Sequence, residues 1–442
     1  MPRARRRLRN AVLSLLLAAG LVWGLSRYFL DPQRLAFVFA ERLETAYGGR
    51  VGISAANVGI GSSNLNDLQL FELGAGSNDP AWLTVRTVSA DLSAWRMLCG
   101  ERKPKALILD GAAITLRLDE TGHLLTRLPG PSAQKESLPH FHLTRCRVTL
   151  QQQGHPQFIV GGVEGTLTDD GQTLTLSGAI EDDTWGKWRF SGRLEKATAV
   201  LHFEMTTTGV HVTQKMLDEL PFVPAKTWQH VQCEGDTPAT VEVKHTPVSG
   251  AAPGQLTKEG FHYRIVLDPT ATSVYITRIN LHAEQARGHV VIADKVVYLE
   301  NVKGLASDGE LRTKGELDFR VKPAQMHYDV QAERIDLHQL PQTWPLPVQI
   351  RQKTVSGRLT GRADLHLVVV DGKAQTRGEG EGEVTDARVL GIPLKKPVKL
   401  TLHADGAGFV FRIRGVPVPV GIGSKRPDSA LPMSLPRGEP KP

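Results

Sequence analysis

The sequence predicts a mainly β protein: an elongated, curled antiparallel sheet with a few short helices and one N-terminal transmembrane helix. Three observations lead there. Apolar residues recur at every second position through most of the 442 residues, Asp-Gly turn signals separate the runs, and glycine recurs in the middle of several strands. Alternation of period two marks a sheet with one apolar and one wet face.

Five arginines, Arg3, Arg5, Arg6, Arg7 and Arg9, precede an apolar run over residues 11–30 interrupted only by Ser14, Ser26, Arg27 and Tyr28. That length suits a membrane-spanning helix, and the arginines hold the N-terminus in the cytoplasm. The rival is a cleaved signal peptide. Trp23, Leu25 and Arg27 occupy the region where small residues would permit cleavage, so the retained anchor is the reading taken.

Asp31 and Pro32 then open an amphipathic helix, with aspartate as cap and proline at the first helical position. Leu35, Val38, Phe39, Leu43 and Ala46 are expected to share one face, and Gly48 ends the helix. Because the polar face is mixed in charge, the stripe is read as a lid on the sheet rather than a membrane-lying surface.

Alternation follows at Ile114, Leu116 and Leu118, and at Leu201, Phe203 and Met205. It recurs at Leu317, Phe319 and Val321, at Leu365 and Leu367, and at Phe409, Phe411 and Ile413. Asp110-Gly111, Asp170-Gly171, Asp308-Gly309 and Asp371-Gly372 are the expected turns. Mid-strand glycines at Gly165, Gly178, Gly192, Gly315 and Gly357 permit bends, which is why the sheet is expected to curl. A sandwich with ordinary turn glycines is the alternative.

Residues 212–224 and 335–347 echo one another: an apolar strand end, a short helical turn closed by Leu-Pro, and a second proline. Residues 129–139 and 246–259 read as loops, and 415–442 as a disordered Pro/Gly-rich tail.

The net charge of +7 falls to +2 once the five N-terminal arginines are set aside, and no basic, aromatic-interleaved patch is present; nucleic acid is excluded as a partner. Cys99, Cys146 and Cys233 are widely spaced and read as buried strand thiols. No phosphate-binding loop, nucleophile elbow or H-E-x-x-H motif occurs, so no catalytic residue, cofactor or metal is assigned. The run R-G-E-G-E-G-E at 377–383 reads as a flexible edge or turn. His202, His282, His366 and His403 fall on polar faces far apart in sequence, and the close pair His140 and His142 lacks a nameable third ligand. Trp185 and Trp188 flank Gly186, a hairpin with core tryptophan.

Four segments together resemble the AsmA-like family, whose TamB-related members are repeating β-groove envelope proteins. They are G-G-R-V-G-I at 48–53, N-D-L-Q-L at 66–70, V-S-A-D-L-S-A-W-R-M-L at 88–98, and L-I-L-D-G-A-A-I-T-L-R-L-D-E-T-G-H-L-L at 107–125. The resemblance covers roughly the first 130 residues. It implies an anchor over 1–30, an AsmA-like N-terminal region over 31–130, a linker at 131–138 and a repeating β-groove over 139–414. It implies a half-pipe anchored in the inner membrane, with its bulk in the periplasm, carrying phospholipid towards the outer membrane or assisting outer-membrane biogenesis. About twenty strands at ~4.8 Å spacing extend only about 100 Å, so one copy is expected to pass lipid part of the way or to meet an outer-membrane or envelope protein partner. The expected lipid-lining residues are Leu116, Leu118, Leu201, Phe203, Met205, Leu317, Phe319, Val321, Leu365, Leu367, Phe409 and Phe411. A non-transporting envelope scaffold is the alternative, and a hydrolase of envelope polymers ranks third.

Overall fold

The computed structural model describes residues 31–59, 61–76, 78–101, 103–120, 124–128, 138–221, 231–247, 260–276, 281–340, 348–370, 373–405 and 409–414. The span expected at 11–30, the tail at 415–442, most of the linker and the Asp371-Gly372 turn lie outside them. Among the described residues no helix is long and apolar enough to cross a membrane.

Helix α1 (Pro32–Tyr47) begins where Asp31 accepts the Gln33 N–H at 3.1 Å and ends at Gly48, whose φ of 77° lets its N–H return to the Glu44 carbonyl. It packs on strands β1 (Val51–Gly52) and β2 (Ala55–Val58) through Ala36, which is buried. The inward stripe is Leu35, Ala36, Phe39, Leu43 and Tyr47, so Val38 and Ala46 are exposed rather than part of the lid.

β1 and β2 both pair with β3 (Ser63–Leu70), followed antiparallel by β4 (Leu83–Ala90) and β5 (Ala106–Leu118). Between β4 and β5 lies the short α2 (Ala94–Leu98), capped by Ser93. β6 (His140–Gln152) joins β5 in parallel, the one departure from the expected antiparallel order. The chain needs residues 119–139 to return to the starting end of β5, a connection far longer than a hairpin.

An antiparallel meander continues through β7 (Phe158–Asp169), β8 (Thr173–Asp182), β9 (Gly186–Glu195) and β10 (Val200–Val212). After α3 (Gln214–Glu219) comes β11 (Val231–His245), which pairs with both β12 (Phe261–Leu267) and β13 (Thr272–Ile276). β14 (Leu281–Ala293), β15 (Val296–Ala306), β16 (Gly309–Asp318) and β17 (Gln325–Asp336) follow. A 3-10 turn (Leu337–Gln339) and α4 (Val348–Arg351) lead to β18 (Val355–Val370) and β19 (Lys373–Val389). β20 (Ile392–Pro393), β21 (Val398–Asp405) and β22 (Phe409–Arg414) close the order. The result is mainly β, one long sheet of 22 strands among the described residues.

Two expected turns are turns. Asp170 accepts the Gln172 and Thr173 N–H groups at 2.9 and 2.6 Å to reverse β7 into β8, and Ser307 and Asp308, both with positive φ, reverse β15 into β16. Asp110-Gly111 is not a turn. It lies inside β5 as a kink that leaves the register with β4 and β6 unbroken, Gly111 at φ 66°, with Asp110 held by Arg145 of β6. Related left-handed residues occur at register shifts: Arg145 in β6, Gln285 in β14, Asn301 in β15, Arg334 in β17 and Asp386 in β19. Each such bulge bends its strand and increases its twist.

The R-G-E-G-E-G-E run is likewise neither edge nor turn but the middle of β19, paired on both sides. Gly378, Gly380 and Gly382 face Leu365, Ala363 and Gly361 on one side and Ala404, Leu402 and Leu400 on the other. A Cβ at Gly378 would stand 2.0 Å from the Asp364 carbonyl oxygen, so only glycine allows the two backbones to approach this closely.

The echo at 212–224 and 335–347 is structural in its described part. Thr213 caps α3 on the Met216 N–H and Asp336 caps the 3-10 turn on the His338 N–H. Each segment then buries apolar side chains, Met216 and Leu217 in one and Leu337 and Leu340 in the other. The cysteines are all free; Cys146 is buried in β6 and Cys233 half-buried in β11, whereas Cys99 is exposed at the end of α2 instead of lying on a strand.

Candidate functional site: the apolar face

Register connects one row of residues across sixteen strands. Beginning at Leu65, successive partners are Val88, Leu109, Leu143, Gly165, Gly178, Phe190 and Met205. The row goes on through Val241, Ile265, Ile292, Val297, Leu317, Met326, Leu367 and Thr376. Directly opposed residues project from the same face of a sheet. Every member before Thr376 is therefore an apolar residue or glycine on a single face.

Of the expected lining residues, Met205, Leu317 and Leu367 belong to this row. Phe203 and Leu365 stand two positions away from it and Leu201 four, on the same strands and therefore on the same face. All six are half-buried. Leu116 lies beside Leu150, whose other partner Phe158 meets Trp185 with ring centroids 4.7 Å apart. Leu118 is buried at the end of β5, bridged to Leu124. Phe319 and Val321 are not brought to the row: β16 ends at Asp318, and both are exposed, at 45% and 40%. Asp318 ends the strand by accepting the Arg320 N–H at 2.8 Å and its guanidinium at 2.7 Å, and Pro323 has no N–H with which to continue a ladder. Phe409 and Phe411 sit on β22 opposite Ala404 and Leu402, but their side chains lie outside the described residues.

Three buried clusters cover parts of this face. At the N-terminal end Val51, Leu68, Val85, Val88, Cys146 and Phe190 pack together, with Leu43 and Tyr47 of α1 against them. Under α3, Trp185, Val210 and Met216 form a second, where the Trp185 indole N–H donates to the Ile159 carbonyl at 3.1 Å. At the C-terminal end Leu337, Leu340 and Ile350 close over Ile335, Val355, Val384 and Val398.

Aromatic rings lie across the glycines. A Cβ at Gly178 would stand 2.5 Å from Phe190 Cζ, at Gly192 3.0 Å from Phe203 Cδ2, and at Gly315 2.9 Å from Tyr328 Cδ1. Tyr328 reports the polarity of this face: burial pushes its phenol up to about 12, and its hydroxyl donates to the Met326 sulfur at 3.7 Å.

The opposite face is ionic. Arg362 meets Glu381 at 2.8 Å, Arg312 meets Glu310 and Glu333, and Lys187 meets Glu181 at 3.1 Å. His140, His142, His202, His282, His366 and His403 are all exposed. Sequence spacing did not single out His327, which the register sets directly opposite His366.

Comparison of the chain with protein-family models, with curated proteins and with solved structures finds no match in any of the three.

Proposed function

We propose that the chain holds phospholipid acyl chains along its apolar face, curled into a hydrophobic β-groove, and serves lipid transport to, or biogenesis of, the outer membrane. Residues 11–30 anchor it in the inner membrane as a single-pass protein with its N-terminus in the cytoplasm and its bulk in the periplasm.

The observation that carries this reading is the row of apolar residues and glycines from Leu65 to Leu367, in register strand after strand. An acyl chain needs a continuous apolar lining and no directed polar partner, and each buried CH₂ contributes ~0.8 kcal/mol. The bulges and the glycines under Phe190, Phe203 and Tyr328 favour bending of the sheet around that row. Phe37 and Val38, 72% and 46% exposed on the helix that follows the anchor segment, suit a membrane interface. The 22 strands include three pairs that share a ladder position, which leaves nineteen positions and a sheet roughly 90 Å long at ~4.8 Å each.

A second reading, an envelope scaffold or assembly factor, is favoured by the outer side of β22, which pairs with no strand among the described residues. An open edge of that kind accepts a partner's strand.

Replacing Met205, Leu317 and Leu367 together with aspartate tests the first reading. The phospholipid co-purifying with the full-length protein, quantified by mass spectrometry, is expected to fall severalfold while far-ultraviolet circular dichroism keeps its β signature. Unchanged lipid in a folded variant would refute it. The matched polar-face change His202→Asp is expected to leave lipid unaltered.

A further inference from the structure

We propose that His327, Asp364 and His366 form a binding site for one divalent transition-metal ion of the zinc class on the ionic face of the sheet. The site is independent of the lipid reading.

The sheet supplies the convergence. His327 on β17 and His366 on β18 are direct cross-strand partners, and their imidazoles stack with centroids 4.2 Å apart and planes 2° from parallel. Asp364 precedes His366 by two residues, so it shares that face and stands diagonal to His327. One carboxylate oxygen lies 2.9 Å from His327 Nε2 and the other 3.1 Å from His366 Nε2. Among the described residues this is the one place where three metal-ligating side chains bring donor atoms within 4.8 Å of one another.

Zinc binds imidazole nitrogen and carboxylate oxygen at ~2.0–2.2 Å, which sets adjacent donors roughly 3–3.6 Å apart in a tetrahedral shell. The two short separations run to different oxygens of Asp364, and the imidazoles, now parallel, must tilt towards one another to aim both Nε2 lone pairs at one ion, which their exposure on the sheet surface permits. The ion takes the place of the His327 Nε2 to Asp364 contact at 2.9 Å. Water fills the remaining positions. Two imidazoles and one carboxylate select zinc, copper or nickel over magnesium or calcium, which prefer all-oxygen shells.

The surroundings favour a cation. Glu316 is the partner of His327 on β16, Asp329 the partner of Asp364 on β17, and Glu379 its partner on β19; Arg377, opposite His366, is the opposing charge. The other histidine–carboxylate contacts do not make this arrangement. His211 with Asp236, His262 with Asp294, His289 with Asp268 and His403 with Glu379 each offer one imidazole and one carboxylate.

The test uses the full-length protein in detergent micelles, purified without a histidine tag and treated with chelator. Titration calorimetry with zinc chloride is expected to give one saturable site at micromolar affinity. His327→Gln and His366→Gln are each expected to weaken it at least tenfold and Asp364→Asn at least threefold, whereas His403→Gln leaves it unchanged. Electron paramagnetic resonance of the copper-loaded protein is expected to show two coordinated imidazole nitrogens, reduced to one in either histidine variant. Zinc binding that survives both histidine variants, loss in only one of them, or no saturable binding below millimolar zinc would each overturn the proposal.

Discussion

Gly178→Ala is the sharpest single perturbation of the sheet. The added methyl carbon meets the Glu164 carbonyl oxygen at 2.1 Å, Phe190 Cζ at 2.5 Å and Gly165 Cα at 2.7 Å. The phenyl ring can rotate away, but the carbonyl and Gly165 are backbone, so β7 and β8 must separate by about 1 Å. Overpacking of this kind costs ~1–3 kcal/mol. The neighbouring ladder bonds, each worth ~1 kcal/mol net, lengthen with it, and the lower entropy of an unfolded alanine chain returns only ~0.5–1 kcal/mol. The balance is a loss of about 3 kcal/mol concentrated in β7–β9. Because a sheet this long need not unfold in one step, hydrogen exchange resolved by segment is the appropriate assay. Protection over 158–195 is expected to fall by roughly a hundredfold, which is that energy converted at 1.4 kcal/mol per decade. The control Gly209→Ala places its methyl group in open space and is expected to change protection by less than threefold. Equal protection in the Gly178→Ala and Gly209→Ala variants would refute the claim that glycine allows the close strand approach.

Three further outcomes follow from particular contacts. Leu337→Ala removes a side chain of the 3-10 turn that is 1% exposed and is expected to cost ~2–5 kcal/mol, read as lost exchange protection over 348–405; protection within twofold of wild type would contradict it. The Ala106 N–H, followed by Arg96 and the Lys105 N–H, outweighs burial and holds the Asp91 carboxyl below the usual carboxylate range. Its stabilisation is present above about pH 4 and lost as pH falls through the lowered folded value, so the gap in melting temperature between wild type and Asp91→Asn should close on acidification; a gap that widens below pH 4 has the wrong sign. Burial pushes the Cys233 thiol up to about 11 and raises Cys146, so both stay almost wholly protonated at pH 7.5. Maleimide is expected to label exposed Cys99 first by a factor of a hundred or more, and equal labelling of all three in the native protein would contradict this.

The sheet was legible because its physics is local. Period-two alternation at Leu201–Met205 and Leu365–Leu367 marks a face directly, and Asp170-Gly171 reads as a turn because aspartate can capture the next backbone N–H groups. Local pattern failed where a partner strand decides. Asp110-Gly111 carries a turn signature, yet pairing on both sides and Arg145 of the adjacent strand hold it within β5 as a kink. The glycines of β19 resemble a flexible loop until Leu365 and Leu402 flank them. Phe319 and Val321 keep the alternation, but the ladder ends with the Phe319 N–H on the Lys295 carbonyl at 3.0 Å, Asp318 captures Arg320, and both apolar side chains are left exposed. The pair His327 and His366 is invisible for the same reason, since register between residues thirty-nine apart is a property of the sheet and not of either segment.

The most direct test of the lipid reading is photocrosslinking in cells, with the probe introduced at Phe203 or Leu317 on the apolar face and at His202 or Glu316 on the ionic one. Phospholipid adducts at the first two positions and none at the second two are the predicted result. Crosslinks from Phe203 and Leu317 only to the chain's own strands, or adducts equal on both faces, would contradict the account.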